Sequence, residues 1–137
     1  MRKTYAGGCA CRTIRYEIEA EPVFQPDCQC RDCQRMSGTG HGSYLVFPAS
    51  DVKLQGEARE WSFAGDSGNL KTRGFCPTCG MPVYLTSAAM PDMFTVHAAS
   101  LDEPARYTPQ AVMYRVSALD WDQVDPALPR FDKLPPS

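Results

Sequence analysis

No apolar run in this 137-residue sequence approaches the roughly 20 residues that a membrane-spanning helix needs. Nothing at its start behaves as an export signal either. Met1-Arg2-Lys3-Thr4-Tyr5-Ala6-Gly7-Gly8-Cys9 opens on basic residues but has no apolar stretch behind them, so a cytoplasmic, reducing location is expected. Excess positive charge is lacking too. A formal net charge of −2 removes the global electrostatic drive toward nucleic acid or an anionic membrane, and neither is expected as a partner. Repeats, heptads and low-complexity tracts are absent. With 43% apolar and 22% charged residues the balance is that of a folded chain, not a disordered one. This length accommodates a single domain over residues 1–137, with an irregular tail from about residue 118.

Cysteine, by contrast, is plentiful. Seven residues fall at Cys9, Cys11, Cys28, Cys30, Cys33, Cys76 and Cys79, as C-x-C, C-x-C-x2-C and C-x2-C. An odd count and partners one to three residues apart argue against a cross-linked secreted framework. The same spacing suits a metal, because two thiolates on one tight turn converge on a point about 2.3 Å from each sulfur. Seven thiolates cannot close two four-ligand sites, but they can build one closed structural site and one three-ligand site. Three protein ligands with an exchangeable fourth position is how a catalytic zinc is held. The pairs Cys9/Cys11 and Cys76/Cys79 each resemble half of a closed site, which leaves Cys28, Cys30 and Cys33 for one ion on a single loop. A pair from this trio joining Cys76/Cys79 is the competing partition. Zinc is preferred to an iron–sulfur cluster, whose cysteine pattern is not evident.

The rest reads as mainly β with little helix. Ile14, Tyr16 and Ile18 alternate with Arg15 and Glu17 as a half-buried strand. Pro22 and Pro26 bracket a loop, and Cys30 to Met36 forms a short helix ended by Ser37-Gly38-Thr39-Gly40. Strands are expected at 43–47, 52–54, 57–63, 70–75, 83–86, 94–98 and 112–116. Pro77 and Gly80 shape the turn that carries Cys76 and Cys79. The tail should wrap over the sheets, pinned by Trp121 and Phe131, and fray at its end. Trp61, Tyr44 and Phe47 are expected in the core, and Met90 and Met93 in a loop, filling gaps or lining a pocket mouth.

With C-x-C near the amino end, C-x-C-x2-C followed by Ser37-Gly38, and Arg73-Gly74-Phe75-Cys76-Pro77-Thr78-Cys79-Gly80, the chain resembles the glutathione-dependent formaldehyde-activating enzyme family, that of S-hydroxymethylglutathione synthase and centromere protein V. Ser100-Leu101-Asp102 and the regions of Pro109 and Trp121 also fit. The resemblance implies small β-sheets packed like a tent. It implies a structural zinc on Cys9, Cys11, Cys76 and Cys79, and a catalytic zinc on Cys28, Cys30 and Cys33. The implied activity is that of a carbon–sulfur lyase helping glutathione add to formaldehyde. Many members carry a histidine after the equivalent of Pro109, whereas Gln110-Ala111-Val112-Met113-Tyr114 has none.

The chemistry follows from the thiol. A free thiol is mostly protonated at neutral pH, and only the thiolate is a good nucleophile. Three thiolates leave a zinc site with a net charge of −1, which favours capture of a substrate thiol over activation of water. Arg31 and Arg35 are candidates to bind a substrate carboxylate, or else merely solvate their helix. His41 is a candidate substrate-binding residue, proton shuttle or fourth ligand, or else polar surface. His97 is expected as a hydrogen-bonded core or rim residue, and Arg73 as an ion pair or loop anchor. The partners expected are a small thiol and an aldehyde. The competing function is a non-catalytic zinc-binding module that serves interactions with another macromolecule.

Overall fold

The computed structural model describes residues 4–136, and Met1–Lys3, where the export-signal reading begins, lie outside it, as does Ser137. The chain is mainly β. Among the described residues the ten strands are β1 (Thr4–Gly8), β2 (Arg15–Glu19), β3 (Pro26–Cys28), β4 (Gly42–Pro48), β5 (Val52–Gln55), β6 (Arg59–Ala64), β7 (Leu70–Phe75), β8 (Pro82–Ser87), β9 (Met93–His97) and β10 (Ala111–Met113), with one α-helix, α1 (Arg31–Ser37). A three-stranded sheet has the order β1–β2–β5, and a seven-stranded sheet has the order β10–β3–β4–β9–β8–β7–β6.

The core lies where the two sheets meet. On β2 the side chains of Tyr16 and Ile18 point inward while Glu17 and Glu19 face solvent, the period-2 pattern of a sheet with one buried face. Opposite them, Leu45, Phe47, Val83, Phe94 and Val96 come from the large sheet. The rings of Tyr5 and Phe47 meet at 5.2 Å across the junction. Each fully buried side chain of this kind contributes about 1.5–3 kcal/mol. Tyr44 and Phe47 are buried as expected.

Several expectations need correction. The segment Thr4–Gly8, for which no strand was expected, pairs along its whole length with β2. The loop expected between Pro22 and Pro26 ends in β3, which has a strand on each side, parallel β10 and antiparallel β4. Pro26 is tolerated because it begins the strand. The strand expected over 112–116 stops at Met113, where Tyr114 turns into the left-handed region at φ 59°. Trp61 is not core. It stands 55% exposed on β6, the outermost strand of the large sheet, and stacks on Phe63 with the Arg73 guanidinium over both rings. Trp121 does not pin the tail, being 62% exposed. Backbone hydrogen bonds anchor it instead: Val112 N–H donates to the Pro129 carbonyl, and Phe131 N–H to that of Val112, both at 2.9 Å. His97 is buried, but its Nε2 has no hydrogen-bond partner.

Candidate metal centres and the adjoining cleft

Cys9 and Cys11 follow β1, and Cys76 and Cys79 follow β7. Two turns from different sheets therefore bring four Sγ atoms within 4.8 Å of one another. Cys11 Sγ lies 3.6 Å from both Cys9 Sγ and Cys76 Sγ. A tetrahedral ion with metal–sulfur bonds of about 2.3 Å requires sulfurs about 3.8 Å apart, so these four side chains fit one. Backbone N–H groups already point at the sulfurs. Ile14 N donates to Cys9 Sγ at 3.3 Å, and Thr78 N and Cys79 N donate to Cys76 Sγ at 3.3 and 3.4 Å. In the second turn Gly80 takes φ 76° while its N–H donates to the Cys76 carbonyl at 2.8 Å, a conformation costly for a side chain with Cβ. In the first turn Arg12 sits in the same left-handed region at φ 68°.

The remaining three cysteines come from one stretch. Cys28 ends β3, Cys30 caps α1 and Cys33 lies in its first turn, with all three Sγ atoms within 4.8 Å of one another. Cys30 Sγ accepts from the Cys33 N–H at 3.2 Å, so a sulfur does the N-capping usually left to an oxygen. Asp32 in the first turn and Arg35 in the last agree with the helix dipole, and Gly38 terminates the helix at φ 76°. The Cys30 thiol is held down to about 3 by side-chain hydrogen bonding with Cys28 and Cys33, with Lys71 adding a favourable charge. Cys28 is pushed up as a donor to Cys30 and Cys33, and by burial. Tyr44 Oη is buried beside Cys33 without a hydrogen-bond partner, and a thiolate there would supply the missing acceptor. The donor set therefore fits a thiophilic ion. The four-cysteine group behaves similarly: Cys11 is lowered to about 6, chiefly by hydrogen bonds from Thr13.

A cleft of about 280 Å³ opens over Cys30 and Cys33. Arg31 and Arg35 from α1, Lys71 from β7 and Lys133 from the tail line it, against the carboxylates of Asp32 and Asp66. Lys133 Nζ pairs with Asp66 Oδ2 at 3.1 Å, while Phe63, Leu85 and Tyr114 provide apolar wall. Positive charge thus concentrates here in a chain whose net charge is negative. Of the residues singled out from the sequence, Arg31 and Arg35 reach this cleft and His41 does not. Its ring lies between Asp122, with Nδ1 2.9 Å from both carboxylate oxygens, and Asp27, 3.9 Å from Nε2. Met90 and Met93 stand away from the cleft lining. Arg73 anchors through its aromatic neighbours.

Sequence reasoning missed Lys71, Lys133, Gln29 and Asp122. Lysines 38 and 100 residues from Cys33 carry no local signal that places them beside it, and only the fold does.

Residues 4–117 match the family model described as glutathione-dependent formaldehyde-activating enzyme. No curated protein matches the chain. Among solved structures, the crystal structure of a Rhodobacter sphaeroides protein, a structural genomics target, is similar at a TM-score of 0.56. It shares 21% identity over 71% of this chain and 87% of that one, a likeness of fold. The match to the family model takes in all seven cysteines, both of the clusters they form and five of the six charged residues of the cleft lining named above, and on it the chain belongs to the glutathione-dependent formaldehyde-activating enzyme family.

Proposed function

We propose that the protein is a zinc-dependent carbon–sulfur lyase, a single domain that forms or cleaves the adduct between a small thiol, glutathione or a relative of it, and formaldehyde or another small aldehyde. The observation that supports this most is the juxtaposition of a three-sulfur cluster with a cation-rich cleft. In this reading Cys9, Cys11, Cys76 and Cys79 hold a structural zinc, and Cys28, Cys30 and Cys33 hold a second. A zinc with three protein ligands supplies an exchangeable position at which a thiol gives up its proton.

The addition is redox-neutral. A sulfur–carbon bond forms, the carbonyl π bond becomes a hydroxyl, and one proton passes from sulfur to oxygen; the lyase direction reverses each change. Arg31 and Arg35 attract the carboxylates of a glutathione-like thiol, with the paired geometry that a guanidinium offers. Lys71 balances the negative charge as it moves from sulfur to oxygen, its own charge already acting on the Cys30 sulfur. Phe63, Leu85 and Tyr114 limit the water around the reacting atoms. His41, outside the cleft, takes no part. All seven cysteines are free, which suits a reducing cytoplasm.

The test is a screen of small thiols against several aldehydes with metal-replete protein, read by NMR exchange spectroscopy. Accelerated adduct exchange is expected for carboxylate-bearing thiols with formaldehyde, and Cys30→Ala should abolish it. A folded Cys30→Ala protein with full turnover on every thiol would overturn the mechanism.

A further inference from the structure

Cys28 is bracketed by two buried polar residues that the chemistry above leaves unused. Before it, Asp27 accepts hydrogen bonds from Ser43 Oγ at 2.7 Å and Tyr107 Oη at 2.8 Å. After it, Gln29 is 1% exposed and held at three points. Its N–H donates to the Met113 carbonyl at 2.9 Å, its carbonyl accepts from Gln34 Nε2 at 3.0 Å, and its Nε2 donates to Asp122 Oδ2 at 3.1 Å. His41 joins the two sides through its contacts with Asp122 and Asp27. The side chains of Asp27, His41, Asp122 and Gln29 therefore link in that order from one side of Cys28 to the other, and the backbone that carries Cys28 closes the loop.

The other C-x-C supplies an internal contrast. There the middle residue, Ala10, is exposed and has no side-chain polar atom. That turn needs no such support, since a second cysteine pair grips it from the opposite sheet. The trio lies within six residues and lacks a facing pair. Its hold has to come from outside the cysteines. Asp122 is unusual for the tail: its carboxylate is 5% exposed, between the exposed Trp121 and Gln123. A buried carboxylate is costly unless paired, and this one is matched by two donors and by Gly40, where any Cβ would stand 2.3 Å from its Cγ.

We propose that Asp122, beyond the residues matched by the family model, is a positioning residue for the Cys28–Cys30–Cys33 cluster, holding the backbone on one side of Cys28 through Gln29 and on the other through His41 and Asp27. The metal consequence rests on the trio binding an ion; the backbone consequence does not. Residues oriented in this way around metal ligands are worth roughly 10- to 100-fold in metal affinity.

Asp122→Asn and Asp122→Ala in the full chain test this by two readouts besides activity. In cobalt titrations against a competing chelator, the trio's affinity should fall about 10- to 100-fold in Asp122→Ala, with the four-cysteine site unchanged. Asp122→Asn should lose less, because one acceptor oxygen remains for Gln29. Amide hydrogen exchange over residues 28–34 should speed up in Asp122→Ala, while residues 76–81 keep their protection. Faster exchange confined to residues 118–136, with the trio's exchange and affinity unchanged, would overturn the proposal and leave Asp122 as a tail anchor only. Uptake of one ion by the wild-type chain would refute the metal reading, and exchange over 28–34 would still decide the role of Asp122.

Discussion

His97 makes stability depend on acidity in a window that can be worked out in advance. Burial first, and the Arg73 charge second, push its pKa down from 6.5 to about 4. Its ring lies 5.2 Å from that of Tyr44, the residue directly opposite on β4, which is itself buried and remains neutral in this range. Between these two values the unfolded chain binds a proton at His97 that the folded chain refuses. Stability due to His97 is therefore complete above pH 6.5 and is lost progressively as pH falls toward 4. At 1.36 kcal/mol per pH unit the loss totals about 3 kcal/mol. The assay is urea unfolding of metal-loaded wild type and His97→Leu between pH 7 and pH 4. Cysteine protonation and metal release affect both proteins, so the difference between the two curves isolates the imidazole. Wild type should lose about 3 kcal/mol more than the variant over this range. Parallel curves would refute the reasoning, and a variant that lost more would reverse its sign.

Cys79→Ser should lower the melting temperature by on the order of 10 °C and Cys33→Ser by only a few degrees, measured by calorimetry on metal-loaded protein, because only the former loosens a site that ties the two sheets together. Equal losses would count against this division. Lys71→Met should reduce kcat/KM for adduct formation by roughly tenfold, about 1.4 kcal/mol of transition-state stabilisation, with Lys71→Arg retaining most of the rate; an unchanged rate in Lys71→Met would remove the lysine from the charge balance.

What could be read in the sequence was what local spacing dictates. The two-residue and three-residue gaps between cysteines fix which sulfurs can share a turn. The strand of Tyr16 and Ile18 shows its buried face by alternation, and Gly38 marks the end of α1. What escaped depends on neighbours distant in the chain. Tyr5-Ala6-Gly7-Gly8 has little intrinsic strand preference and becomes β1 because β2 pairs with it and Leu101 bridges to Gly7 from the other edge. Trp61 and Phe63 share a face by the same alternation that marks core strands, but β6 ends the sheet and that face is left to Arg73, which lies directly across from Trp61 on β7, and to the open cleft that Phe63 lines. The Gln29–Asp122 hydrogen bond spans 93 residues, a separation at which neither periodicity nor composition carries information.

The two cysteine clusters differ most in how much chain they close. Cys9 and Cys76 are 67 positions apart, in turns that follow strands of different sheets, so an ion between them restricts a long loop in the unfolded chain and joins the two sheets. Cys28 to Cys33 closes almost nothing, and an ion there adds little to the cohesion of the fold. A site of that kind is free to keep a coordination position for a passing ligand, because stability does not require that it be filled. The cleft opens over this cluster, at Cys30 and Cys33, and four cations collect at the same place. In the proposed function the placement of the cysteines in sequence separates cohesion from chemistry: pairs far apart would hold the sheets, and neighbours on one short loop would face the substrate.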